Sequence, residues 1–372
     1  MKKNINPFYY GGIVEDEYFC NRVDEIQDIK NSVNSGLNLL IYAPRRFGKT
    51  SLVFKTLKEL KCKYIYIDMM SIADESEFIN EYFNAISQSL QTTTDKVINF
   101  FKSVLNIKPN INVSFDNMGN PTYSLEFLPQ SSKTLFKEVL NIPYQYALKT
   151  DEKIVVVFDE FQEVNKLKLE GKLRSIIQQH SHHLSYIFLG SKKSIMKNIF
   201  FDSNNAFYKS VKHITIKPIS DNVWIEYISN GFKKYNKSIS KEDILDILSI
   251  TKGFPYYTQQ IASELFLISD DKVTSLDLQR AIDLILQRSK DLFLTQLDLL
   301  TPNQKKALNL ILLTDGNNIY SKDTQNLTTL NNSTLKKSIE GLIQKDIIDK
   351  SDKYYFVDPI LKYFLKNQKH MQ

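Results

Sequence analysis

The stretch Ala43-Pro-Arg-Arg-Phe-Gly-Lys-Thr-Ser51 decides the fold. It comes directly after Leu37–Tyr42, a short apolar run typical of a buried parallel strand, and directly before 52–60, where the apolar residues have helical spacing. Strand, turn and helix in this order form the context of a phosphate-binding loop. The backbone N–H groups of such a turn and the positive end of the helix dipole attract a polyphosphate. The stretch therefore predicts nucleotide binding by residues 43–51.

Individual residues of this loop have distinct expected roles. Gly48 permits the main chain to approach phosphate oxygens where a Cβ would intrude. Lys49 supplies a positive charge for the β- and γ-phosphates, and Thr50 supplies an oxygen for Mg²⁺. The pattern G-x-x-x-x-G-K-[ST] has glycine at its first position, where this chain has Ala43. The predicted nucleotide-binding residues of the loop are Ala43, Pro44, Arg45, Arg46, Phe47, Gly48, Lys49, Thr50 and Ser51.

A second stretch that carries chemistry is Lys153-Ile-Val-Val-Val-Phe-Asp-Glu160. Five consecutive apolar residues, mostly β-branched, predict a buried central strand. Ligands of open α/β sheets bind at the carboxyl ends of the strands, where Asp159 and Glu160 stand. An isolated Asp-Glu pair after a strand is also typical of a helix cap. Together with the phosphate loop, however, the pair predicts that Asp159 holds Mg²⁺ and that Glu160 orients and polarises the attacking water.

Ser185–Gly190 is predicted to form the next strand of the sheet, and Ser191 follows it. A polar side chain at this strand end can reach the γ-phosphate region and act as a sensor of the bound nucleotide. The adjacent Lys192 and Lys193 suit the same region or a solvated turn. The predicted catalytic residues are Glu160, Lys49 and Ser191, and the predicted metal ligands are Thr50 and Asp159.

Three histidines cluster at the end of a helix predicted over 162–179, namely His180, His182 and His183. Histidine is the commonest metal ligand, so the cluster raises the question of a metal site. No acidic or cysteine partner accompanies these residues, and we expect a solvated or capping role instead.

The composition is that of an ordinary globular chain, with 372 residues, 42% hydrophobic and 24% charged. This length predicts two or three domains. Two cysteines, Cys20 and Cys62, form no disulfide framework and suit a reducing cytoplasm. No apolar run approaches the roughly 20 residues that span a bilayer, and no apolar segment follows the N-terminal lysines. We therefore expect neither a membrane span nor a signal peptide, and the net charge of +6 permits contact with nucleic acid without requiring it.

The patterns along the chain divide it into four segments. Residues 1–36 form an N-terminal segment, and residues 37–219 form a core of strands and helices. Within the core, alternating residues on both sides of a Gly, Asn and Pro turn predict an inserted hairpin at about 108–128. Residues 220–299 have helical periodicity alone, which predicts an all-α domain. At 300–372, three helices followed by two short strands predict a winged helix.

The predicted winged helix has two alternative uses. It contains 11 lysines against seven acidic residues, a net charge of +4 out of the total of +6. Lys336 and Lys337 on its third helix suit contact with DNA. A protein-docking or autoinhibitory role is the alternative, because the charge excess is small and several of the lysines belong to solvent-facing positions.

Aromatic side chains precede the phosphate loop at Phe8, Tyr9 and Phe19. These rings could hold an adenine base by stacking, or they could pack against the edge of the sheet. The sequence leaves both alternatives open for each ring.

Taken together, these motifs resemble those of the signal-transduction (STAND) class of AAA-like P-loop ATPases of bacteria and archaea. The resemblance extends over nearly the whole chain. Its motifs are Asn6-Pro-Phe8, Phe19-x-x-Arg22-x-x-Glu25, Pro44–Leu52, Phe158–Gln162, Tyr186–Lys193 with Met196, Gly253-x-Pro255 and Phe356-x-Asp-Pro359. The resemblance implies an α/β fold, in which a P-loop NTPase parallel sheet is followed by an all-α lid domain and a C-terminal winged helix.

The resemblance also implies several finer features. The five strands of the sheet would have the order 5-1-4-3-2, and the strand of Asp159 would neighbour that of the phosphate loop. The nucleotide would be ATP, and a lid would close through Gly253 and Pro255, which we include among the nucleotide-binding residues. Arg174 and Arg288 are candidates for an arginine finger supplied to a neighbouring subunit.

We therefore expect a cytoplasmic ATPase that works as a switch with ATP and Mg²⁺. Hydrolysis would control a conformational change, or assembly as a homo-oligomer or with a protein partner. Two alternatives belong to other classes. One is an ATPase regulator that binds DNA through residues 300–372, and the other is a nucleotide-binding scaffold with little turnover.

Overall fold

A computed structural model describes residues 6–14, 16–89, 94–106, 109–128, 132–180 and 182–369. The chain forms two compact units. The sheet unit comprises Arg22–Pro44 and Gly48–Lys217, and the helical unit comprises Met1–Asn21, Arg45–Phe47 and Pro218–Gln372, within the described ranges. Residues 45–47, in the middle of the phosphate loop, thus belong to the helical unit, whereas both ends of the loop belong to the sheet unit.

The sheet unit alternates strands with helices. Its strands are β1 (Leu39–Tyr42), β2 (Lys63–Asp68), β3 (Asn110–Phe115), β4 (Pro121–Glu126), β5 (Ile154–Asp159), β6 (Leu184–Gly190) and β7 (Lys212–Thr215). Its helices are α1 (Val23–Asn34), α2 (Lys49–Leu60), α3 (Glu75–Ser89), α4 (Thr94–Val104), α5 (Ser132–Thr150), α6 (Val164–Leu167), α7 (Glu170–Ile177) and α8 (Lys193–Phe201). Short 3₁₀ turns follow β2 at Met69–Ser71 and β5 at Phe161–Glu163.

Five parallel strands form the central sheet in the order β2-β5-β6-β1-β7. Counted along the chain, this is the order 5-1-4-3-2, which confirms the prediction. The expectation that the strand of Asp159 neighbours the strand of the phosphate loop is wrong, because β6 lies between β5 and β1. Since all five strands are parallel, the residues that follow β1, β2, β5 and β6 nevertheless meet at one edge of the sheet.

Strands β5 and β6 lie in the core of the sheet unit. All six residues of β5 and all seven of β6 are buried, as expected for parallel strands covered on both faces. Phe158 of β5 stacks near Tyr186 and Phe188 of β6, with ring centroids 6.2 and 5.9 Å away. This packing fixes the end of β5, and so the position of the two carboxylates that follow Phe158.

A hairpin of β3 and β4 stands outside the central sheet, at the turn that the sequence predicts. Asn80 and Asn84 of α3 accept hydrogen bonds from the backbone N–H groups of Leu125 and Tyr123, at 2.7 and 3.0 Å. These side chains satisfy donors along β4 in place of another strand. Residue 108, at the predicted start of the hairpin, lies outside the described residues.

The helical unit begins with a 3₁₀ turn at Asp16–Tyr18. Its helices are α9 (Asp221–Lys233), α10 (Lys241–Thr251), α11 (Pro255–Ile268), α12 (Ser275–Asp298), α13 (Pro302–Thr314), α14 (Lys322–Gln325), α15 (Asn332–Gln344) and α16 (Pro359–Lys369), and its strands are β8 (Ile348–Lys350) and β9 (Tyr354–Phe356). Helices α13 to α15 and the antiparallel pair β8–β9 follow the element order predicted for 300–372. The sequence pattern gave no expectation of α16, and residues 370–372 lie outside the described residues.

One hydrophobic cluster runs through the whole helical unit. It includes Phe8 of the N-terminal segment, the fully buried Trp224 of α9, and Phe364 of α16. Phe8 packs against Phe232 with ring centroids 5.4 Å apart. Phe8 is therefore a packing residue, but it packs within the helical unit and not against the edge of the sheet as the packing alternative had it. Trp224 belongs to the same core.

Candidate functional site

The phosphate loop leaves β1 and enters α2 through Gly48. Gly48 has φ +80°, in the left-handed region that favours glycine, and a Cβ there would have no heavy atom within 4 Å. The backbone at Gly48 is therefore open towards the space that a ligand would use. Ala43 is not among the residues with positive φ, so the alanine at the first position of the motif is accommodated without glycine. Its N–H donates to the carbonyl oxygen of Gly190 at the end of β6 (3.3 Å).

Lys49 is buried at the start of α2. Its Nζ donates to the carbonyl oxygens of Ala43 at 3.0 Å and Pro44 at 3.3 Å. The ammonium thus spans the loop from inside and fixes its curvature. The first turn of α2 contains no acidic residue, and Gly48 as N-cap offers no side chain to it. The positive end of this helix dipole therefore meets no competing carboxylate from its own helix.

Residues 45–47 of the loop make their contacts within the helical unit. The guanidinium carbon of Arg46 lies 4.2 Å from the centre of the Tyr256 ring, a cation–π contact. Phe47 packs edge-to-face on Phe254 with ring centroids 5.2 Å apart. Arg46 also has φ +64°, which is uncommon for a residue with a Cβ.

Three further predicted binding residues belong to the helical unit, namely Arg45 of the loop, and Gly253 and Pro255 between α10 and α11. Arg45 Nε lies 3.6 Å from a carboxylate oxygen of Asp346. Gly253 has φ +69° and accepts a hydrogen bond at its carbonyl from Trp224 Nε1 at 3.3 Å. Pro255 is the first residue of α11, where a missing N–H costs no helical hydrogen bond. The nucleotide-binding roles of Arg45, Gly253 and Pro255 stay predictions.

The carboxylate of Asp159, at the end of β5, accepts three hydrogen bonds. Thr50 Oγ1 donates to its Oδ2 at 2.6 Å and Tyr66 of β2 donates to the same oxygen at 3.1 Å. The backbone N–H of Glu160 donates to Oδ1 at 2.8 Å. The structure thus brings together the two predicted metal ligands, Thr50 and Asp159. Burial, and then the charge of Asp159, raise the pKa of Tyr66, which keeps this hydroxyl a donor.

Tyr66 belongs to the group although no motif indicates it. It occupies β2, which pairs with β5 so that Tyr66 lies opposite Val157, two residues before Asp159. At the end of β2, Asp68 faces the same edge. It is an exposed residue, and partial desolvation of its carboxylate together with the charges of Asp159 and Glu160 raises its pKa. The alternation of tyrosines in Lys63–Asp68 was the only available signal, and it does not reveal which strand lies alongside.

Glu160 is held in a network of polar side chains. Its backbone has φ +49°, which turns the chain sharply from β5 into the 3₁₀ turn. Ser191 Oγ donates to Glu160 Oε2 at 2.8 Å, and Gln162 Nε2 donates to the same oxygen. Gln162 Nε2 also lies 3.4 Å from Ser191 Oγ. Two predicted catalytic residues, Glu160 and Ser191, are therefore in direct contact, together with a glutamine that the sequence analysis did not assign to the site.

The candidate arginine fingers have partners within their own units. Arg174 Nε donates to the carbonyl oxygen of Ala206 at 3.2 Å. Arg288 forms an ion pair with the buried Glu264 at 2.6 Å, and this hydrogen bond raises the pKa of the guanidinium. The role of either residue as a finger stays a prediction.

The expectation of a solvated or capping role is wrong for His180. Its Nδ1 lies 2.6 Å from Tyr186 Oη and its Nε2 lies 2.7 Å from Asn141 Oδ1, and burial lowers its pKa to about 4. His180 is therefore a neutral side chain that ties α5 to β6. His182 and His183 stack on each other. Within the described residues, no group of three or more His, Cys, Asp or Glu side chains is placed to hold a metal ion.

A comparison with protein-family models matches residues 19–261, well over half of the chain, to an ATPase domain predominantly from Archaea. In the part of the chain that the structure describes, no helix is long and apolar enough to cross a membrane. Comparison with curated proteins gave no significant match.

Solved structures share the fold over almost the full length. The Walker-type ATPase PABY2304 of Pyrococcus abyssi superposes with a TM-score of 0.69 at 21% identity, covering 95% of this chain and 97% of the other. The ORC2 protein of Aeropyrum pernix, in its ADPNP-ADP complexes, gives a TM-score of 0.55 at 11% identity, covering 96% and 97%. At these identities the likeness concerns the fold. The family match over residues 19–261 shows that the chain is an ATPase and belongs to the family of ATPase domains found predominantly in Archaea.

Proposed function

We propose that the chain binds ATP with Mg²⁺ at residues 43–51, and that ATP hydrolysis operates a switch of the STAND type. The observation that carries this proposal is the hydrogen bond of 2.6 Å between Thr50 Oγ1 and Asp159 Oδ2. It joins the first turn of α2 to the end of β5, the two places from which P-loop ATPases hold their metal ion. Glu160 follows directly, next to the proposed metal ligands.

Mg²⁺ fits this pair by the chemistry of its donors. Magnesium prefers hard oxygen ligands in an octahedral arrangement, with several positions left to water and phosphate. The Thr50 hydroxyl and the Asp159 carboxylate are such ligands, and hydrogen bonds from Tyr66 and the Glu160 backbone orient the carboxylate. When bound, Mg²⁺ supplies charge neutralisation for the β- and γ-phosphates. We assign Thr50 and Asp159 to hold it.

Lys49 and the loop backbone are proposed to hold the phosphates. Lys49 is buried inside the loop, and its ammonium group carries the positive charge and N–H donors that phosphate oxygens accept. The open side of Gly48 gives the β-phosphate access to the backbone. Ala43, Pro44 and Ser51 complete the proposed binding loop.

Glu160 is proposed to orient the water that attacks the γ-phosphate. Both side-chain hydrogen bonds to Glu160 engage Oε2, and among the described residues none engages Oε1. That oxygen is available to accept a proton from water. Ser191, which donates to Oε2, is proposed to contact the γ-phosphate as the sensor.

The switch is supported by the contacts that Arg46 and Phe47 make within the helical unit. The guanidinium of Arg46 lies over the Tyr256 ring, and Phe47 packs on Phe254. A loop that changes conformation with the γ-phosphate would change these contacts. Different contacts in the ATP and ADP states are what a nucleotide switch requires. We propose that its output is homo-oligomer assembly or binding of a protein partner in the cytoplasm.

A second candidate function is DNA binding through residues 300–372, here taken as the proposed winged helix. Lys336 and Lys337 are exposed on α15, the third helix of that segment. A recognition helix with two exposed lysines suits contact with phosphates of DNA. In this alternative the ATPase cycle would control a regulator of DNA rather than a protein assembly.

The proposal is tested by the molecular mass in solution, measured by light scattering with ADP, with ATP and with ATP plus duplex DNA. We expect the Glu160→Gln variant to remain in an ATP-bound assembly, and the Lys49→Ala variant to show the same mass in all conditions. A mass that does not depend on nucleotide in the wild type and Glu160→Gln would contradict the assembly switch. A shift only in the presence of DNA would favour the second candidate function. ATP binding without measurable turnover would favour a scaffold.

A further inference from the structure

Gln162 lies at the centre of the contacts around Glu160. It occupies the 3₁₀ turn Phe161–Glu163 directly after β5, and its side chain is only 2% exposed. Its Nε2 donates to Glu160 Oε2 and lies 3.4 Å from Ser191 Oγ, which itself donates to Glu160 Oε2 at 2.8 Å. Three side chains therefore surround one carboxylate oxygen.

The donors and acceptors of this group fit only one arrangement. The Ser191 hydroxyl has one proton, which it gives to Glu160, so its oxygen accepts from Gln162. The Gln162 amide has two protons, one for each neighbour. The opposite orientation of the amide would place its oxygen against the Glu160 carboxylate, where two acceptors repel. The network thus fixes the Glu160 side chain, whose left-handed backbone (φ +49°) also needs support from its surroundings.

The carbonyl oxygen of the Gln162 amide lowers the stability of the folded protein. This oxygen, Oε1, is buried and has no hydrogen-bond partner among the described residues. A buried acceptor without a partner destabilises the folded state, and an apolar side chain of the same size would avoid this cost. Such a residue is typical of a functional site, where the donor end of the amide has a use that outweighs the orphan acceptor.

The role of the Gln162 donor follows from the fact that the Ser191 hydroxyl has only one proton to donate. If Ser191 turns its hydroxyl to a γ-phosphate oxygen, as the proposed sensor role requires, Glu160 loses this donor at the moment when water must be aligned. The Gln162 amide has no such competing role, and it continues to donate to Oε2 of Glu160. The other carboxylate oxygen, Oε1 of Glu160, then stays directed at the water.

We propose that Gln162 is a positioning residue for ATP hydrolysis, which keeps Glu160 aligned while Ser191 contacts the nucleotide. This inference rests on the proposed function, because it assigns Gln162 a role that operates through Glu160. It predicts an effect on the rate of the chemical step and little effect on the binding of ATP.

The test is a double-mutant cycle in the full chain, with Gln162→Met, Glu160→Gln and the double variant. Single-turnover hydrolysis of radiolabelled ATP gives the rate, and titration gives the affinity. We expect Gln162→Met to lower the rate by roughly 10- to 100-fold, less than the full contribution of about 10²- to 10⁴-fold attributed to general base catalysis because Glu160 itself is retained. The affinity for ATP should change by less than about threefold. In the Glu160→Gln background the same substitution should change the residual rate by less than about twofold, because residues that act as a unit are not additive.

Two further variants control for effects of Gln162→Met on folding and packing. Ser185→Ala removes a buried serine of β6 outside the site, whose Oγ bonds only weakly to the Val33 carbonyl at 3.5 Å, and it should retain the wild-type rate. If Gln162→Met fails to fold, Gln162→Asn keeps a polar amide but shortens the side chain by one methylene, which withdraws the donor from Glu160. The same loss of rate is then expected, again only where Glu160 is present.

The outcomes separate this inference from the function on which it rests. A wild-type chain without turnover, or Glu160→Gln with wild-type turnover, would overturn both. An inactive Glu160→Gln together with a Gln162→Met variant of wild-type rate would overturn only the role of Gln162. The same holds if Gln162→Met lowers the rate by an equal factor in both backgrounds, since that effect would not pass through Glu160.

Discussion

His180 is expected to make the stability of the sheet unit fall as the pH decreases from 7.5 to 5. The imidazole bridges α5 and β6, with Nδ1 accepting from Tyr186 Oη at 2.6 Å and Nε2 donating to Asn141 Oδ1 at 2.7 Å. The assignment of the proton to Nε2 follows from the carbonyl acceptor of Asn141. Tyr144 of α5 stacks on the ring at 4.9 Å. These neighbours are uncharged, so none of them compensates a charge on the buried ring.

The magnitude follows from the two pKa values. Burial lowers the pKa of His180 from 6.5 to about 4. Between these values the unfolded chain binds a proton that the folded protein does not bind, so the free energy of unfolding decreases as the pH falls. Integration from pH 7.5 to pH 5 gives a loss of about 2 kcal/mol from this side chain. The contribution is complete above the unfolded pKa and has disappeared below the folded pKa.

The assay is urea denaturation followed by circular dichroism at both pH values, for the wild type and for His180→Gln. Glutamine can hydrogen-bond but does not titrate, and all other titrating groups are common to both proteins. We expect the wild type to lose about 2 kcal/mol more than the variant between pH 7.5 and 5. Equal losses in the two proteins would refute the depressed pKa and the buried bridge. The imidazole resonances of His180 give a second readout, and they should not titrate until the pH approaches 4.

Three further perturbations have expected outcomes. Gly316→Ala would place a methyl group 1.8 Å from the Tyr354 carbonyl oxygen at φ +75°. We expect it to lower the free energy of unfolding by about 3 kcal/mol or more, measured as a lower melting temperature from the fluorescence of the chain's only tryptophan. An unchanged melting temperature would contradict the close approach. Thr50→Ala should raise the Mg²⁺ concentration needed for half-maximal turnover by roughly tenfold, while binding of ATP without metal stays unchanged; an unaltered Mg²⁺ requirement would remove Thr50 from the metal site. In the DNA-binding alternative, replacing both Lys336 and Lys337 by Ala should reduce the slope of log affinity against log salt by about two, and an unchanged slope would exclude α15 as the DNA contact.

The strand and helix pattern around the phosphate loop was predictable because its signals are local. The run 37–42 contains β1 (Leu39–Tyr42), and the stretch 153–160 contains the buried β5 (Ile154–Asp159). Gly48 is the N-cap of α2, with the positive φ that its residue type permits. The order of the strands required the family resemblance, since parallel strands far apart in sequence carry no pairing signal. Even then the resemblance was interpreted wrongly at one point, because β6 separates the strand of Asp159 from that of the loop.

The missed residues of the site depend on contacts between distant segments. Tyr66 reaches Asp159 only because β2 pairs with β5 in a particular register. Gln162 reaches Glu160 and Ser191 because the chain turns sharply at φ +49° after β5. His180 was expected to be solvated or to cap the helix, but its two ring nitrogens contact Asn141 of α5 and Tyr186 of β6. In each case the residue type was visible in the sequence, whereas the neighbour that gives it a role was not.

Glu160 is the residue proposed to orient water for ATP hydrolysis, and its substitution tests the proposed function most directly. The decisive measurement is the steady-state release of phosphate from Mg²⁺-ATP by the wild type, Glu160→Gln and Glu163→Gln. Glu163 is the matched control, because it is the same residue type at the end of the 3₁₀ turn that Glu160 precedes, but it pairs with Lys166. We predict that Glu160→Gln lowers kcat by about 100-fold or more, whereas Glu163→Gln retains most of it. Equal turnover by the wild type and Glu160→Gln would contradict the proposal that Glu160 orients the attacking water.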